Sequence, residues 1–204
     1  MEQRTIAKYL EKAALKVFIR DNVVEANNPL QAPIDNMILN ICHCYFDPHK
    51  FIIESQPYPG DPTSVKGLKK GDKLKSNVTV SVLHVKVQKA FVIEAKRYPK
   101  PQDKLAGNWA DNNNNWEPHL EQLDDYMTKA RNHDRYSGTM YGMLVVGDRV
   151  RFYEKKNEPT ATLAPCSIRT MRRQNVFSIA DANDSLAIED VLITIREKLL
   201  SHAK

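Results

Sequence analysis

The stretch "AFVIEAKRYPK", residues 90–100, is an apolar run that admits a glutamate and a lysine two positions apart before it ends. Side chains alternate along a strand, so Val92, Glu94 and Lys96 share one face while Phe91, Ile93 and Ala95 share the other. Glu94 and Lys96 therefore project side by side at the end of a strand apolar enough for a core. A carboxylate and an ammonium fixed in this way can hold a divalent cation and place a water for attack on a phosphate. The same spacing also suits a plain charge pair where a strand meets the surface.

On the N-terminal side, "NVTVSVLHV" (77–85) and the run from 90 flank the polar turn "KVQK" (86–89), which predicts a hairpin. "FIIES" (51–55) reads as a short strand, and "QPYPGDPTSVKGLKKGD" (56–72) as a loop. Before them, Ile34, Met37, Ile38, Ile41 and Tyr45 form the stripe of a helix that follows "ANNPLQAP". Ile6, Leu10, Ala13 and Val17 repeat at three and four, predicting an amphipathic helix over 3–20. On the C-terminal side, a loop carrying "GNWADNNNNW" leads to a helix over 117–133. "MYGMLVV" (140–146) and "RVRFYEK" (149–155) flank Gly147 and Asp148 as a second hairpin, and a last helix covers 185–200.

A chain of 204 residues, 42% hydrophobic, suits one substantial core, and we read residues 1–204 as a single α/β domain. No apolar run approaches the length of a membrane span, and the N-terminus is too evenly charged for a secretory signal. The expectation is an intracellular protein, cytoplasmic or nuclear, with no membrane partner. Cys42, Cys44 and Cys166 include no C-x-x-C pair and are expected to be ordinary thiols. No phosphate-binding loop, dinucleotide fingerprint or G-x-S-x-G elbow is present. Thirty Lys and Arg against 25 Asp and Glu leave a net charge of +5, which suits a polyanionic partner. Lys66, Lys69, Lys70, Lys73 and Lys75 cluster just before a predicted strand. Arg97, Lys100, Lys104, Arg169, Arg172 and Arg173 add further cations, and any of these can equally be a solvated surface.

The order of elements, with "VIEAKRY" on the third strand, resembles the centre of the PD-(D/E)XK nuclease superfamily. "EQLDDY" adds Gln122 and Tyr126 on the following helix, similar to the QxxxY signature of the RecB-like nucleases within it. Residues four apart on a helix are neighbours, so both can face one site while Leu120, Leu123, Met127 and Ala130 pack inward. The resemblance covers roughly residues 34–153. It implies a restriction-endonuclease-like αβββαβ core, a mixed sheet flanked by helices, with the N- and C-terminal helices packed on it. It also implies Mg2+ or Mn2+ as cofactor and metal-dependent hydrolysis of phosphodiesters, DNA before RNA. Glu94, the backbone carbonyl of Ala95 and the side chain at 77 would hold the metal. Lys96 would orient the attacking water, and Gln122 and Tyr126 would steady the site. Lys69, Lys70, Lys73, Arg97 and Lys100 would contact the nucleic-acid backbone, and a homodimer is compatible with this reading. Such domains suit a toxin, effector, mobile-element or repair protein.

One position departs from the pattern, since Ser76 and Asn77 stand where the family has Pro-Asp. Asn77 offers a carbonyl oxygen but no charge, which weakens a hard-cation site. Either the chain has lost catalysis and binds nucleic acid or protein, or another acid compensates. Glu54, at the end of the 51–55 strand, is the first choice, with Asp72, Asp61 and Asp35 as others. His43, between two cysteines, reads as a buried or half-buried helix residue. Trp109 and Trp116 either stack on bases or anchor their loop. A third reading, a structural interaction domain, would make the Glu94, Lys96, Gln122 and Tyr126 pattern coincidental.

Overall fold

The computed structural model describes residues 5–26, 31–55, 77–98, 110, 115–158, 160–168 and 176–202. Lys66, Lys69, Lys70, Lys73, Lys75, Lys100, Lys104, Arg169, Arg172, Arg173, Asp61, Asp72 and Trp109 lie outside them. The β-branched and aromatic runs form a mixed sheet in the order β1 (Phe51–Ser55), β2 (Val78–Leu83), β3 (Val87–Lys96), β4 (Met140–Val146), β5 (Arg149–Lys155) and β6 (Ala164–Pro165). A two-residue β7 (Phe177–Ser178) also pairs with β5. β3 and β4 run parallel and every other neighbour is antiparallel. A parallel pair needs a crossover, and the helix over Glu117–Asp134 supplies it.

That helix is α4 in a series that begins with α1 (Lys8–Glu11), α2 (Ala13–Ile19) and α3 (Gln31–Tyr45) and ends with α5 (Ala182–Ser201). The apolar stripe Ile34, Met37, Ile38, Ile41 and Tyr45 of α3 is buried throughout. The helix starts earlier than the stripe predicts, because Pro33 sits in its first turn, where a missing N–H costs nothing. α4 lies on the sheet face of Gly142, where an added Cβ would come within 2.9 Å of Met127 Sδ. Gly142 is in register with Val92, so Glu94 and Lys96 point to the α4 side of the sheet. The opposite face carries Phe91, 5.8 Å from the Phe46 ring, and Tyr141, whose ring lies 5.9 Å from the Lys198 ammonium of α5.

Two expectations change. The N-terminal segment is not one helix: Lys12 is extended between α1 and α2, and α2 runs on into a π-helical turn, Arg20–Val24. Ala13 and Val17 are exposed, and the buried positions are Ala7, Tyr9, Leu10, Leu15, Ile19 and Val23. Contacts with the C-terminal part of the chain compete with helix continuity here. The Ala7 amide donates to Ser185 Oγ (3.4 Å), the Lys8 amide to Glu189 Oε2 (3.1 Å) and the Tyr9 hydroxyl to the Ile179 carbonyl (2.7 Å).

The first hairpin turns at residues 84–86 rather than at 86–89, and β3 carries a bulge at Ala90. Val80 faces Phe91 whereas Ser81 faces Lys89, so one residue is extra. Asp134 at the end of α4 holds that bulge, its carboxylate accepting the Lys89 amide at 2.6 Å and its carbonyl the Gln88 side chain at 2.9 Å. Among the described residues, no helix is long and apolar enough to cross a membrane.

Candidate active site

The C-terminal end of β3 meets the start of β2 and the first turn of α3, and charged side chains gather there. Glu94 is 1% exposed. Its Oε1 is ion-paired with Lys96 Nζ, while its Oε2 is buried with no hydrogen-bond partner. Burial pushes the Glu94 carboxyl up to about 7; the Lys96 ammonium opposes the shift and the charge of Asp35 adds to it. Asp35 on α3 is half-buried and also raised, again by burial. Hydrogen bonds from Gln31 and Asn77 and the charge of Lys96 oppose that rise. Asp35 therefore stands within electrostatic reach of both members of the Glu94–Lys96 pair.

Asn77 ties this group together. Its Oδ1 accepts the Ala95 amide at 2.8 Å, and its side chain bonds to Asp35. Gln31 does the same from the helix side. Its Nε2 donates to the Ala95 carbonyl (2.7 Å) and to Asp35 Oδ1 (2.7 Å), and its Oε1 accepts the Arg97 amide at 3.1 Å. One glutamine side chain thus takes the place of a neighbouring strand for Ala95 and for Arg97 just past the end of β3.

Beside the pair lies a pocket of ≈ 350 Å³ lined by Gln31, Lys96, Arg97, Asn115 and His119 among others. His119, in the first turn of α4, is half-buried, and burial and then the Lys96 charge hold its imidazole below the ordinary range. Gln122 and Tyr126 face each other on α4, the amide donating to the phenol oxygen at 2.5 Å, and Tyr126 is buried.

Several expectations need correction. Glu54 is exposed on β1, two strands from β3 and so about 10 Å away across the sheet. Among the described residues no hydrogen bond or ion pair joins it to Glu94 or Asn77, whereas Asp35 bonds to Asn77. The Ala95 carbonyl is capped by Gln31 rather than standing clear for a metal, although a carbonyl keeps a second lone pair. His43 is exposed, not buried. Two other expectations agree with the structure. Trp116 is fully buried, its Nε1 donating to the Ala110 carbonyl at 2.8 Å with Arg151 stacked 4.4 Å from the ring centroid, so it anchors rather than stands clear for a base. The cysteines are free thiols, and they are buried.

Sequence reasoning missed Gln31 and His119. Neither belongs to a motif, and only the abutment of helix starts against strand ends brings them in.

Among the described residues no group of three His, Cys, Asp or Glu side chains converges to hold a metal ion. Two carboxylates, Glu94 and Asp35, act on each other electrostatically, one of them with an unpartnered buried oxygen, and Asn77 bonds to both the Ala95 amide and Asp35. Magnesium keeps several waters and needs only one or two carboxylates besides substrate phosphate, so the residues fit a sparse site for a hard divalent cation. No protein-family model, curated protein or solved structure matches the chain.

Proposed function

We propose that this chain is a nuclease domain with a restriction-endonuclease-like core, hydrolysing phosphodiester bonds of nucleic acid with Mg2+ or Mn2+. The observation that carries the reading is the buried Glu94 carboxylate, paired through one oxygen with Lys96 and bare at the other. Burying such a group is costly, and groups buried at this cost cluster at functional sites. The element order α3, β1, β2, β3, α4, β4, β5, with β3 parallel to β4, supports the αβββαβ core.

When bound, the cation would be held by Glu94 and Asp35 and would supply charge neutralisation and a more acidic water. The chain's own groups do the rest. Lys96, 26% exposed beside the pocket, offsets charge on the phosphate. Arg97 presents a second cation at the pocket wall. Asn77 and Gln31 fix the backbone of residues 95–97 and hold Asp35 against it. His119, held neutral, presents a donor and an acceptor nitrogen beside Lys96.

A second reading has its own observation. Asn77 is already satisfied by the Ala95 amide and Asp35, as in a site that has settled without metal. On that reading the chain binds nucleic acid or protein without cutting it. Labelled single- and double-stranded DNA, with RNA as control, incubated with the parent chain, Glu94→Ala, Asp35→Ala and Asn77→Asp in magnesium or manganese, separates the two. Metal-dependent cleavage abolished by Glu94→Ala and Asp35→Ala is the expected result. DNA binding without cleavage in both the parent and Asn77→Asp would replace the enzyme with the binding module.

A further inference from the structure

β1 is the outermost strand of the sheet, and among the described residues nothing pairs with its outer side. The Leu83 amide donates to the Lys50 carbonyl at 2.9 Å, so the residues whose backbone groups point at β2 are Lys50, Ile52 and Glu54. The backbone groups of Phe51 and Ile53 therefore face outward. The Phe51 amide is taken by the Asp47 carbonyl at 2.9 Å, which leaves the Phe51 carbonyl and both groups of Ile53 available at the edge. No proline or bulge interrupts the strand between Phe51 and Ser55, so among the described residues its outer edge is guarded only by exposed charges. On one face Lys50, Ile52 and Glu54 follow in alternation, both charges exposed and Ile52 47% exposed between them.

We propose that two copies of this chain associate edge to edge through antiparallel pairing of β1, with Ile52 opposite Ile52 of the second copy. A two-fold axis at that position sets Lys50 against Glu54 at both ends, and lets each Ile53 amide reach the Phe51 carbonyl across the axis. A parallel pairing in register would set lysine against lysine and glutamate against glutamate. The positive, apolar, negative order is self-complementary only in the antiparallel arrangement, and this selects a second copy as the occupant. The contact is a single five-residue strand, so the association is weak, with a dissociation constant on the order of 10 µM or above. It stands independently of the nuclease reading.

Sedimentation equilibrium of the full chain, run across two decades of concentration around that value, tests the pairing. The parent is expected to shift from monomer to dimer, while K50E and E54K, each changing an exposed side chain, stay monomeric. An equimolar mixture of K50E and E54K chains is expected to dimerise again, because unlike charges then meet at both ends of the pair. Ile53→Pro removes the outward amide without touching a bond to β2; because Ile53 also packs against the core, its expected loss of association is read only in a chain whose circular dichroism matches the parent. A parent that stays monomeric throughout overturns the proposal. So do K50E and E54K chains that associate as well as the parent, or a mixture that fails to recover.

Discussion

Glu94 gives up its hydration shell, and Lys96 replaces it at one oxygen only. Its carboxyl rises from 4.5 to about 7, so between those values the folded, metal-free chain holds more protons than the unfolded chain. The free energy of unfolding must then fall as pH climbs through that window, by a few kcal/mol if this group acts alone. Glu94→Gln keeps the shape and removes this titration, so the fall due to Glu94 is expected to vanish over the same range, leaving the contributions of Asp35 and of His119, whose lowered pKa acts in the opposite sense. Urea melts of both chains at about pH 5 and pH 7.5 measure the difference, and equal slopes would mean that Lys96 keeps Glu94 ionised throughout. Asn77→Asp acts on the same cluster in the opposite sense. It removes the hydrogen bond to Asp35 and sets two carboxylates together, which should cost about 1–3 kcal/mol without metal. Added magnesium should recover that loss and raise the melting temperature of Asn77→Asp more than that of the parent. If the metal shifts neither chain, Glu94 and Asp35 do not form a cation site.

The elements that carry these residues depend on close contact between α4 and the sheet. Gly142 lets the helix approach, since a Cβ there would meet Met127 Sδ at 2.9 Å and Leu123 Cδ2 at 3.0 Å. Gly142→Ala is therefore expected to cost about 1–3 kcal/mol and to push α4, with Gln122 and Tyr126, away from β4. Chemical denaturation reads the cost, and an unchanged midpoint would show that Met127 and Leu123 repack freely. Such elements were largely legible in the sequence, because a strand or helix buried on one face declares its period. The 51–55, 140–146 and 149–155 strands and the turn at Gly147, whose φ is +60°, follow from local pattern alone. Apart from the early start of α3, the departures come from partners remote in the chain. Ser185 and Glu189 capture the N-terminal turn, and Asp134 steadies the Ala90 bulge. The choice of Asp35 over Glu54 depends on which helix end abuts which strand end, and no periodicity records that. Gln31 is hidden for the same reason: its three hydrogen bonds reach within its own helix turn and 64 to 66 residues ahead.

At the scale of the whole molecule the decisive quantity is charge. The +5 balance is modest, but Lys96 and Arg97 stand at one pocket on the side where β3 ends. If the chain binds nucleic acid there, neutralising phosphates releases counterions, and affinity must fall as salt rises. Lys69, Lys70, Lys73, Arg97 and Lys100 acting together would give a slope of log affinity against log salt of about −4.5 on duplex DNA. Arg97→Ala should make that slope shallower by about 0.9 and weaken binding alike for all sequences, because a phosphate contact carries no base information. Arg97 donates its backbone amide to Gln31 and keeps its side chain exposed, so this variant leaves the strand end intact. Fluorescence anisotropy of a labelled duplex at four or five salt concentrations gives both slopes. A parent slope near zero would remove nucleic acid as the partner, and with it the reason for a buried carboxylate beside a cationic pocket to act on phosphodiesters. A steep slope that Arg97→Ala leaves unchanged would place the binding face elsewhere on the molecule, away from Glu94.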